Sequence, residues 1–175
     1  TVETFVLRPD DEGALEANLV RLGAADPTRR AVLHVHGFCD YFFQTEYAQW
    51  WADRGWDFYA LDLRKHGRSL REHHTPGYVE DLSEYHEELD LAWRAITERD
   101  GHDDVLVSAH STGGLTVSLW AHERRLSLAG LVDHHDDHDD ESDQPGAHPH
   151  DRAQLGAVRS GPQHPRGQRR ADQQA

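Results

Sequence analysis

Short runs of apolar residues alternate with polar residues along the chain, and these patterns predict where β-strands form. Single-residue alternation over residues 2–7 and 14–23 predicts two strands, with DDEG between them as the turn. Denser runs of β-branched and aromatic residues predict strands that are buried in a sheet. These runs are AVLHVHG at 31–37, WDFYALDL at 56–63, VLVSA at 105–109 and LAGLV at 128–132.

A three-to-four-residue spacing of apolar side chains predicts three helices between those strands. Residues 78–99 have the clearest pattern, and residues 46–54 and 112–125 predict two further helices. The apolar side chains that repeat within residues 78–99 are Leu82, Tyr85, Leu89, Ala92, Trp93 and Ile96. After the opening hairpin, strands and helices alternate along the chain. This order predicts an α/β fold with a mostly parallel sheet and helices on both of its faces.

The composition changes after Val132 and divides the chain into two parts. Residues 1–132 contain enough aliphatic and aromatic side chains to bury a core and form the predicted domain. Residues 133–175 contain no aromatic residue, and their only large aliphatic residues are Leu155 and Val158. We therefore predict a disordered, low-complexity tail, rich in acidic residues and His, because it buries too little apolar surface to offset its ordering entropy. Its composition resembles a GC-rich gene read out of frame, which suggests a frameshift.

Net charge and targeting features narrow the possible classes of function. The formal charge of −14 argues against a nucleic-acid partner, because phosphate binding needs clustered Lys and Arg. The single cysteine, Cys39, excludes an internal disulfide and fits a reducing compartment. The sequence shows neither a secretory leader nor a run of about 18 apolar residues. We therefore expect no transmembrane segment and a cytoplasmic location.

The stretch VLVSAHSTGGLTVSLW changes from a strand pattern to a helix pattern within a few residues. Its centre, Ala109-His110-Ser111-Thr112-Gly113, fits the small-x-Ser-x-small sequence of a nucleophile elbow, in which a sharp turn exposes a serine hydroxyl. The helix that follows would place free N–H groups and its positive dipole end beside a developing oxyanion. The alternative is a plain strand-to-helix turn that happens to contain a serine.

The stretch HVHGFCDYF at 34–42 ends a predicted strand and begins a loop, where elbow enzymes carry a second oxyanion donor. In that pattern the donor is the backbone N–H of Phe38, paired with the N–H of Thr112. His34 and His36 are interpreted as strand-end histidines that bond to backbone groups. Cys39 is interpreted as a small loop residue, because no basic partner for a cysteine nucleophile is evident.

Three segments together resemble the α/β-hydrolase superfamily: AVLHVHGF, WDFYALDLRKHGRS and VLVSAHSTGG. They are similar to its monoacylglycerol lipase and lysophospholipase-like branch, which includes serine aminopeptidase-like hydrolases, and cover about residues 20–132. That branch carries Asp-x-Arg-Gly-His-Gly-x-Ser, and this chain has Lys65 in place of the first glycine. The resemblance implies cofactor-free hydrolysis of carboxyl esters with small acyl ester or lipid-like substrates. It makes Ser111 the nucleophile and the backbone amides of Phe38 and Thr112 the oxyanion hole.

The catalytic acid and histidine of this superfamily follow the serine along the chain. Both would lie beyond residue 132, so the chain resembles the N-terminal half of such an enzyme and is expected to be weakly active or inactive. Three sources of a base stay open: His66, another chain, or a tail histidine with Asp133 as the acid. The candidate tail histidines are His134, His135 and His138.

The alternative function is a non-catalytic fragment or binding module. Its His- and Asp-rich tail would bind metal only adventitiously, because no groups that would hold the ligands in a fixed geometry can be identified there. If the sheet ends at LAGLV, that strand forms an exposed edge. We expect copies of the chain to associate through such an edge, because its backbone hydrogen-bonding groups are unpaired.

Overall fold

Five strands form one sheet, and three α-helices connect and cover them, in a computed structural model that describes residues 1–128. The strands are β1 (Val2–Asp10), β2 (Gly13–Leu22), β3 (Arg30–Val35), β4 (Asp57–Asp62) and β5 (Asp104–Ala109). The α-helices are α1 (Thr45–Ala52), α2 (His86–Arg94) and α3 (Thr112–Leu128). Each strand predicted within residues 1–128 is present, with ends that differ by up to three residues from the predicted ones.

Several predictions from the sequence concern residues outside the described part of the chain. The predicted strand LAGLV has only its first residue, Leu128, within the described range. The tail at 133–175 lies entirely outside it, together with the candidate acid Asp133 and the candidate bases His134, His135 and His138. Disorder, adventitious metal binding and a frameshift in this segment therefore stay predictions.

The order of the strands in the sheet is β1-β2-β4-β3-β5. Strand β3 pairs in parallel with β4 on one side and with β5 on the other. The opening hairpin is antiparallel and joins the sheet through an antiparallel pairing of β2 with β4. The described sheet is therefore mixed, and its parallel part is β4-β3-β5. Because the carboxyl ends of parallel strands meet at one edge, the loops after β3, β4 and β5 lie close together there.

Helices cover both faces of this sheet, as the predicted α/β fold requires. Alternate residues of each strand point to opposite faces, and the buried apolar side chains form two clusters, one on each face of the sheet. The cluster beneath α2 and α3 includes Leu33, Val35, Tyr59, Leu61, Leu89, Ala92, Val117 and Trp120. The cluster beneath α1 includes Val32, Phe42, Ala48, Phe58 and Ala60. No helix of the described residues is long and apolar enough to cross a lipid bilayer.

The helix predicted over residues 78–99 begins later than its apolar pattern indicates. It starts with a 3-10 turn at Leu82–Tyr85, continues as α2 and ends in a π-helical turn at Ala95–Arg99. The carboxylate of Asp81 accepts a hydrogen bond from the N–H of Ser83 at 2.7 Å, and Glu84 accepts one from the N–H of Asp81 at 3.0 Å. This capping box fixes the N-terminal end of the helical segment at Asp81, so residues 78–81 lie outside it.

Candidate active site

Ser111 occupies a sharp corner between the end of β5 and the start of α3. Its φ is 51°, in the left-handed region that a residue with a side chain rarely adopts, and its side chain is exposed. Hydrogen bonds of 3.0 Å from the N–H of Gly113 to His110 O and of 2.9 Å from Gly114 N–H to Ser111 O close the turn. The strained backbone at an exposed serine is the geometry predicted for a nucleophile elbow.

Gly113 lets the elbow pack directly against the end of β3. A methyl group at this position would overlap the carbonyl oxygen of His36 and lie 2.9 Å from that of Val35. At the other small position of the motif, Ala109 is exposed, so its Cβ is accommodated where glycine is commonest. Position 113, two residues after the serine, therefore requires glycine. Position 109, two residues before the serine, tolerates alanine.

The predicted oxyanion donors lie beside Ser111. A side chain at Gly37 would come within 3.1 Å of Ser111 Cβ, so the loop after β3 touches the corner, and Phe38 follows in that loop. Thr112 is the first residue of α3, whose N-terminal end is positively polarised. Within residues 1–128, neither the N–H of Phe38 nor that of Thr112 makes a hydrogen bond. Their role in stabilising an oxyanion stays a prediction.

His36 fixes the loop that carries Phe38. Its ring is 1% exposed, its Nδ1 lies 2.7 Å from the carbonyl oxygen of Gly37, and its Nε2 accepts a 3.1 Å hydrogen bond from Leu63 N–H. Nδ1 must carry the proton, since the carbonyl oxygen can only accept, and burial lowers the pKa of the ring. Both nitrogens are occupied, which confirms the interpretation of His36 as a histidine that bonds to backbone groups.

Asp62 joins the loops after β3 and β4. Its buried carboxylate accepts hydrogen bonds from Phe42 N–H at 2.8 Å and from Arg68 Nη1 at 2.7 Å. Its carbonyl oxygen accepts a 2.9 Å bond from the hydroxyl of Ser69. Asp62, Arg68 and Ser69 of the DLRKHGRS segment therefore hold these loops in position.

Arg64, in the same segment, is held by a buried ion pair with α2. Its guanidinium donates to Glu88 at 2.7–3.1 Å, and its own backbone N–H also donates to Glu88 Oε1 at 3.1 Å. Glu88 is 0% exposed, and Glu87 adds a second, partly exposed carboxylate at 3.0 Å. This pair connects the loop after β4 to the helix layer beneath the sheet.

Lys65 stands at the first glycine of the Asp-x-Arg-Gly-His-Gly-x-Ser motif, and its backbone conformation explains why glycine is common at this position. Its φ is 59°, in the region that favours glycine. Its ammonium group is buried and pairs with Asp10 at 2.5 Å and Glu12 at 2.6 Å, both in the β1–β2 hairpin. A hydrogen bond from Lys65 is the main cause that lowers the pKa of Glu12 to about 2. The two ion pairs hold the Lys65 side chain against the β1–β2 hairpin.

His66 lies in the wall of a cleft beside the elbow. The cleft has a volume of about 690 Å³, and Cys39, Asp40, Tyr41, Leu70 and Pro76 are among its lining residues. His66 is 5% exposed, and its Nδ1 lies 2.8 Å from the carbonyl oxygen of Arg64. Ser111 does not line this cleft, and in the described part of the chain no hydrogen bond joins it to His66. Within residues 1–128, the ring of His66 is therefore bonded to the backbone and not to Ser111.

Several of these cleft residues could not be identified from the sequence. Asp40 and Tyr41 follow β3, whereas Pro76 and Gly77 lie more than thirty residues later, and no local pattern links the two loops. Cys39 is exposed, has a φ of 54° and lines the cleft, so it is a loop residue as expected. Within residues 1–128, no group of three His, Cys, Asp or Glu side chains is placed to hold a metal ion.

His34 is buried beneath α1 and bonds to a side chain, where a bond to backbone groups was expected. Its Nδ1 lies 3.5 Å from Ser108 Oγ, which in turn lies 2.9 Å from the hydroxyl of Tyr47. Its ring stacks on Phe58 with centroids 6.2 Å apart. Burial among these aromatic rings lowers the pKa of His34 to about 4, because the charged form loses its hydration.

Lowering the pH from 7 to 5 is expected to reduce the free energy of unfolding by about 2 kcal/mol through His34 alone. The folded state keeps His34 neutral, whereas the unfolded state protonates it at its ordinary pKa near 6.5. The unfolded state therefore binds more protons between pH 6.5 and 4, and stability is lost as the pH falls through this window. Urea denaturation at pH 7 and pH 5 measures the loss. His34→Gln should show a smaller difference, and an unchanged difference would contradict this assignment.

The chain matches one protein family and a group of solved structures. A family model described as serine aminopeptidase, S33, matches residues 26–133. No curated protein matches the chain in sequence. A thermostable carboxyl esterase from Bacillus coagulans, solved with glycerol, has a TM-score of 0.60 and 15% identity over 71% of this chain and 41% of the esterase.

Two further structures share the fold. Est1E from Butyrivibrio proteoclasticus, solved with ferulic acid, has a TM-score of 0.53 and 20% identity over 69% of this chain and 48% of its own. The thioesterase domain from the curacin biosynthetic pathway has a TM-score of 0.53 and 23% identity over 71% of this chain and 43% of the domain. At these identities the likeness concerns the fold. The chain spans between 41% and 48% of the length of the three structures.

Proposed function

Because the chain belongs to the serine aminopeptidase S33 family of α/β-hydrolases, we propose that Ser111 is the nucleophile of a carboxyl ester hydrolase. The observation that carries this proposal is the strained, exposed conformation of Ser111 at the corner between β5 and α3. The fold shared with an esterase and a thioesterase supports hydrolysis of acyl groups. The proposed substrates are small acyl esters or lipid-like esters of the lysophospholipid or monoacylglycerol type, and the proposed location is cytoplasmic.

The proposed reaction begins with attack of Ser111 Oγ on the ester carbonyl carbon. The carbonyl oxygen becomes negatively charged and accepts hydrogen bonds from the free N–H groups of Phe38 and Thr112. The C–O bond to the alcohol then breaks, the alcohol leaves with a proton, and the acyl group stays on the serine. Water attacks the acyl-serine, which releases the carboxylic acid and restores the hydroxyl.

Activation of the serine needs a base, and within residues 1–128 no side chain makes a hydrogen bond to Ser111. His36 uses both ring nitrogens in hydrogen bonds, and His66 has no hydrogen bond to Ser111 within residues 1–128. We propose that the base and its acid come from outside these residues, and we expect the tail at 133–175 not to hold them in place, because its composition predicts disorder. Loss of base and acid costs a serine hydrolase several orders of magnitude in rate. We therefore expect the 175-residue chain to hydrolyse p-nitrophenyl butyrate barely above background.

A fluorophosphonate probe is expected to label the purified chain slowly at Ser111. The oxyanion donors stabilise the charged phosphonyl oxygen even without a base, and Ser111→Ala should remove the label. Ser118→Ala is the matched control, because Ser118 is an exposed serine of α3, the helix that follows Ser111, and within residues 1–128 its hydroxyl bonds only to the carbonyl oxygen of Gly114. Intact-mass measurement and peptide mapping identify the labelled residue.

The outcome also separates the two classes of function. Label that persists in Ser111→Ala would overturn the assignment of the nucleophile. Folded wild-type protein that takes up no label would favour the alternative, a non-catalytic fragment or binding module. Rapid turnover of p-nitrophenyl butyrate that Ser111→Ala abolishes would show that the chain contains its own base, and the tail histidines and His66 would then be substituted to find it.

A further inference from the structure

The cleft beside the elbow has the dimensions and the mixed lining of a small-molecule site. Its volume of about 690 Å³ lies within the range of roughly 300–1,000 Å³ that such sites occupy. Leu70, Pro76 and the ring of Tyr41 supply apolar surface, and His66 supplies a polar atom. This lining suits a mainly apolar group that makes one directed hydrogen bond.

The cations of the cleft wall are already paired. Lys65 bonds to Asp10 and Glu12, and Arg68 bonds to the buried carboxylate of Asp62. An anionic ligand would therefore find no unpaired cation among the described lining residues, and it would also lie close to the carboxylate of Asp40. This wall therefore disfavours an anionic ligand.

The hydrogen bond from His66 to the backbone decides whether its other ring nitrogen donates or accepts a hydrogen bond. Nδ1 lies 2.8 Å from the carbonyl oxygen of Arg64, which can only accept, so Nδ1 carries the proton. Burial lowers the pKa of the ring and keeps it neutral near pH 7. Nε2 is then a hydrogen-bond acceptor, and within residues 1–128 the bond to Arg64 is the only one that this ring makes.

The acceptor nitrogen lies at the wall of the cleft, close to the predicted oxyanion loop. Nε2 lies 3.0 Å from the position that a side chain at Gly77 would take, and Gly77 also lines the cleft. The ring of Phe38 lies 6.5 Å from the ring of His66, in an edge-to-face arrangement. Cys39, next to Phe38, lines the cleft as well, so the cleft lies next to the loop that touches Ser111.

We propose that this cleft binds an uncharged apolar group that carries a hydroxyl, and that the hydroxyl donates a hydrogen bond to Nε2 of His66. A phenol is a ligand of this class, because its ring can pack against Tyr41 and Pro76 while its hydroxyl donates to Nε2 of His66. An ether of the same shape lacks the donor and leaves Nε2 unpaired. That the group is one part of an ester substrate rests on the proposed function; binding itself does not require Ser111.

Alkylation of Cys39 reports occupancy of the cleft directly, because Cys39 is the chain's single cysteine, is exposed and lines the cleft. The rate of its reaction with iodoacetamide at pH 7.5 is measured by intact mass with 4-ethylphenol or 4-ethylanisole present. The phenol is expected to protect Cys39 at about threefold to tenfold lower concentration than the anisole, the difference that one hydrogen bond makes. Equal protection by both compounds, or protection by neither, overturns the proposal.

Two variants locate the effect. His66→Phe keeps a ring but removes the acceptor, so the phenol should lose its advantage over the anisole. Leu70→Trp fills the cleft and should weaken protection by the phenol. If His66→Phe fails to fold, the comparison of the phenol with the anisole on the wild-type chain still tests the proposed hydrogen bond. The same assay on Ser111→Ala should give wild-type protection, so failure of the proposed hydrolase function and failure of this proposal are distinguishable.

Discussion

Gly113→Ala is expected to lower the free energy of unfolding by about 3 kcal/mol, the upper range for overpacking a well-packed site. The added methyl group would overlap the carbonyl oxygen of His36 and lie 2.9 Å from that of Val35. Both neighbours are backbone atoms at the end of β3, so they cannot move aside as a flexible side chain does. Urea denaturation followed by tryptophan fluorescence measures the loss.

Gly114→Ala is the matched control for this substitution. Gly114 lies one residue further along α3, and a methyl group there has no atom within 4 Å. Alanine favours the helix over glycine, so this variant should be unchanged or up to about 1 kcal/mol more stable. Equal stability of the two variants would contradict the close packing of the elbow on β3. Gly113→Ala should also slow fluorophosphonate labelling, because a shift of β3 moves the loop that carries Phe38.

Glu88→Gln is expected to destabilise the protein by about 3 kcal/mol, because it breaks a buried ion pair and leaves the charge of Arg64 undercompensated. Glu88 is 0% exposed and Arg64 is 4% exposed, so water cannot replace the lost carboxylate. Four hydrogen bonds to Glu88 at 2.7–3.1 Å, from the guanidinium and the backbone of Arg64, are affected together. Urea denaturation at pH 7 measures the change.

Glu87→Gln provides the control on the same helix and the same arginine. The side chain of Glu87 is 19% exposed and bonds to Arg64 at 3.0 Å, so its loss should cost less than about 1 kcal/mol. The double variant Arg64→Met/Glu88→Leu removes both charges and should recover much of the stability that Glu88→Gln loses. A cost for Glu87→Gln as large as that for Glu88→Gln would show that burial does not distinguish the two carboxylates.

Much of the architecture follows from local patterns in the sequence. Alternating and dense apolar runs predicted the five strands of the described part, and the strand-corner-helix order around Ser111 predicted the elbow. These features are local because strand alternation, helical spacing and the glycine of a tight corner each depend on residues a few positions apart. The start of the helix at Leu82 was missed, because the carboxylate of Asp81 overrides an apolar pattern that begins earlier.

Other features depend on residues that the fold brings together from distant parts of the chain. The partners of Lys65 are Asp10 and Glu12, more than fifty residues away, and no spacing rule in the sequence connects them. The cleft likewise exists only because the parallel pairing of β3 with β4 places the loops after these strands at one edge of the sheet. The sequence by itself determined the fold class and the serine at the corner. The tertiary structure alone decided which charges are paired and which nitrogen of His66 is free to accept, because long-range contacts set burial and hydrogen bonding.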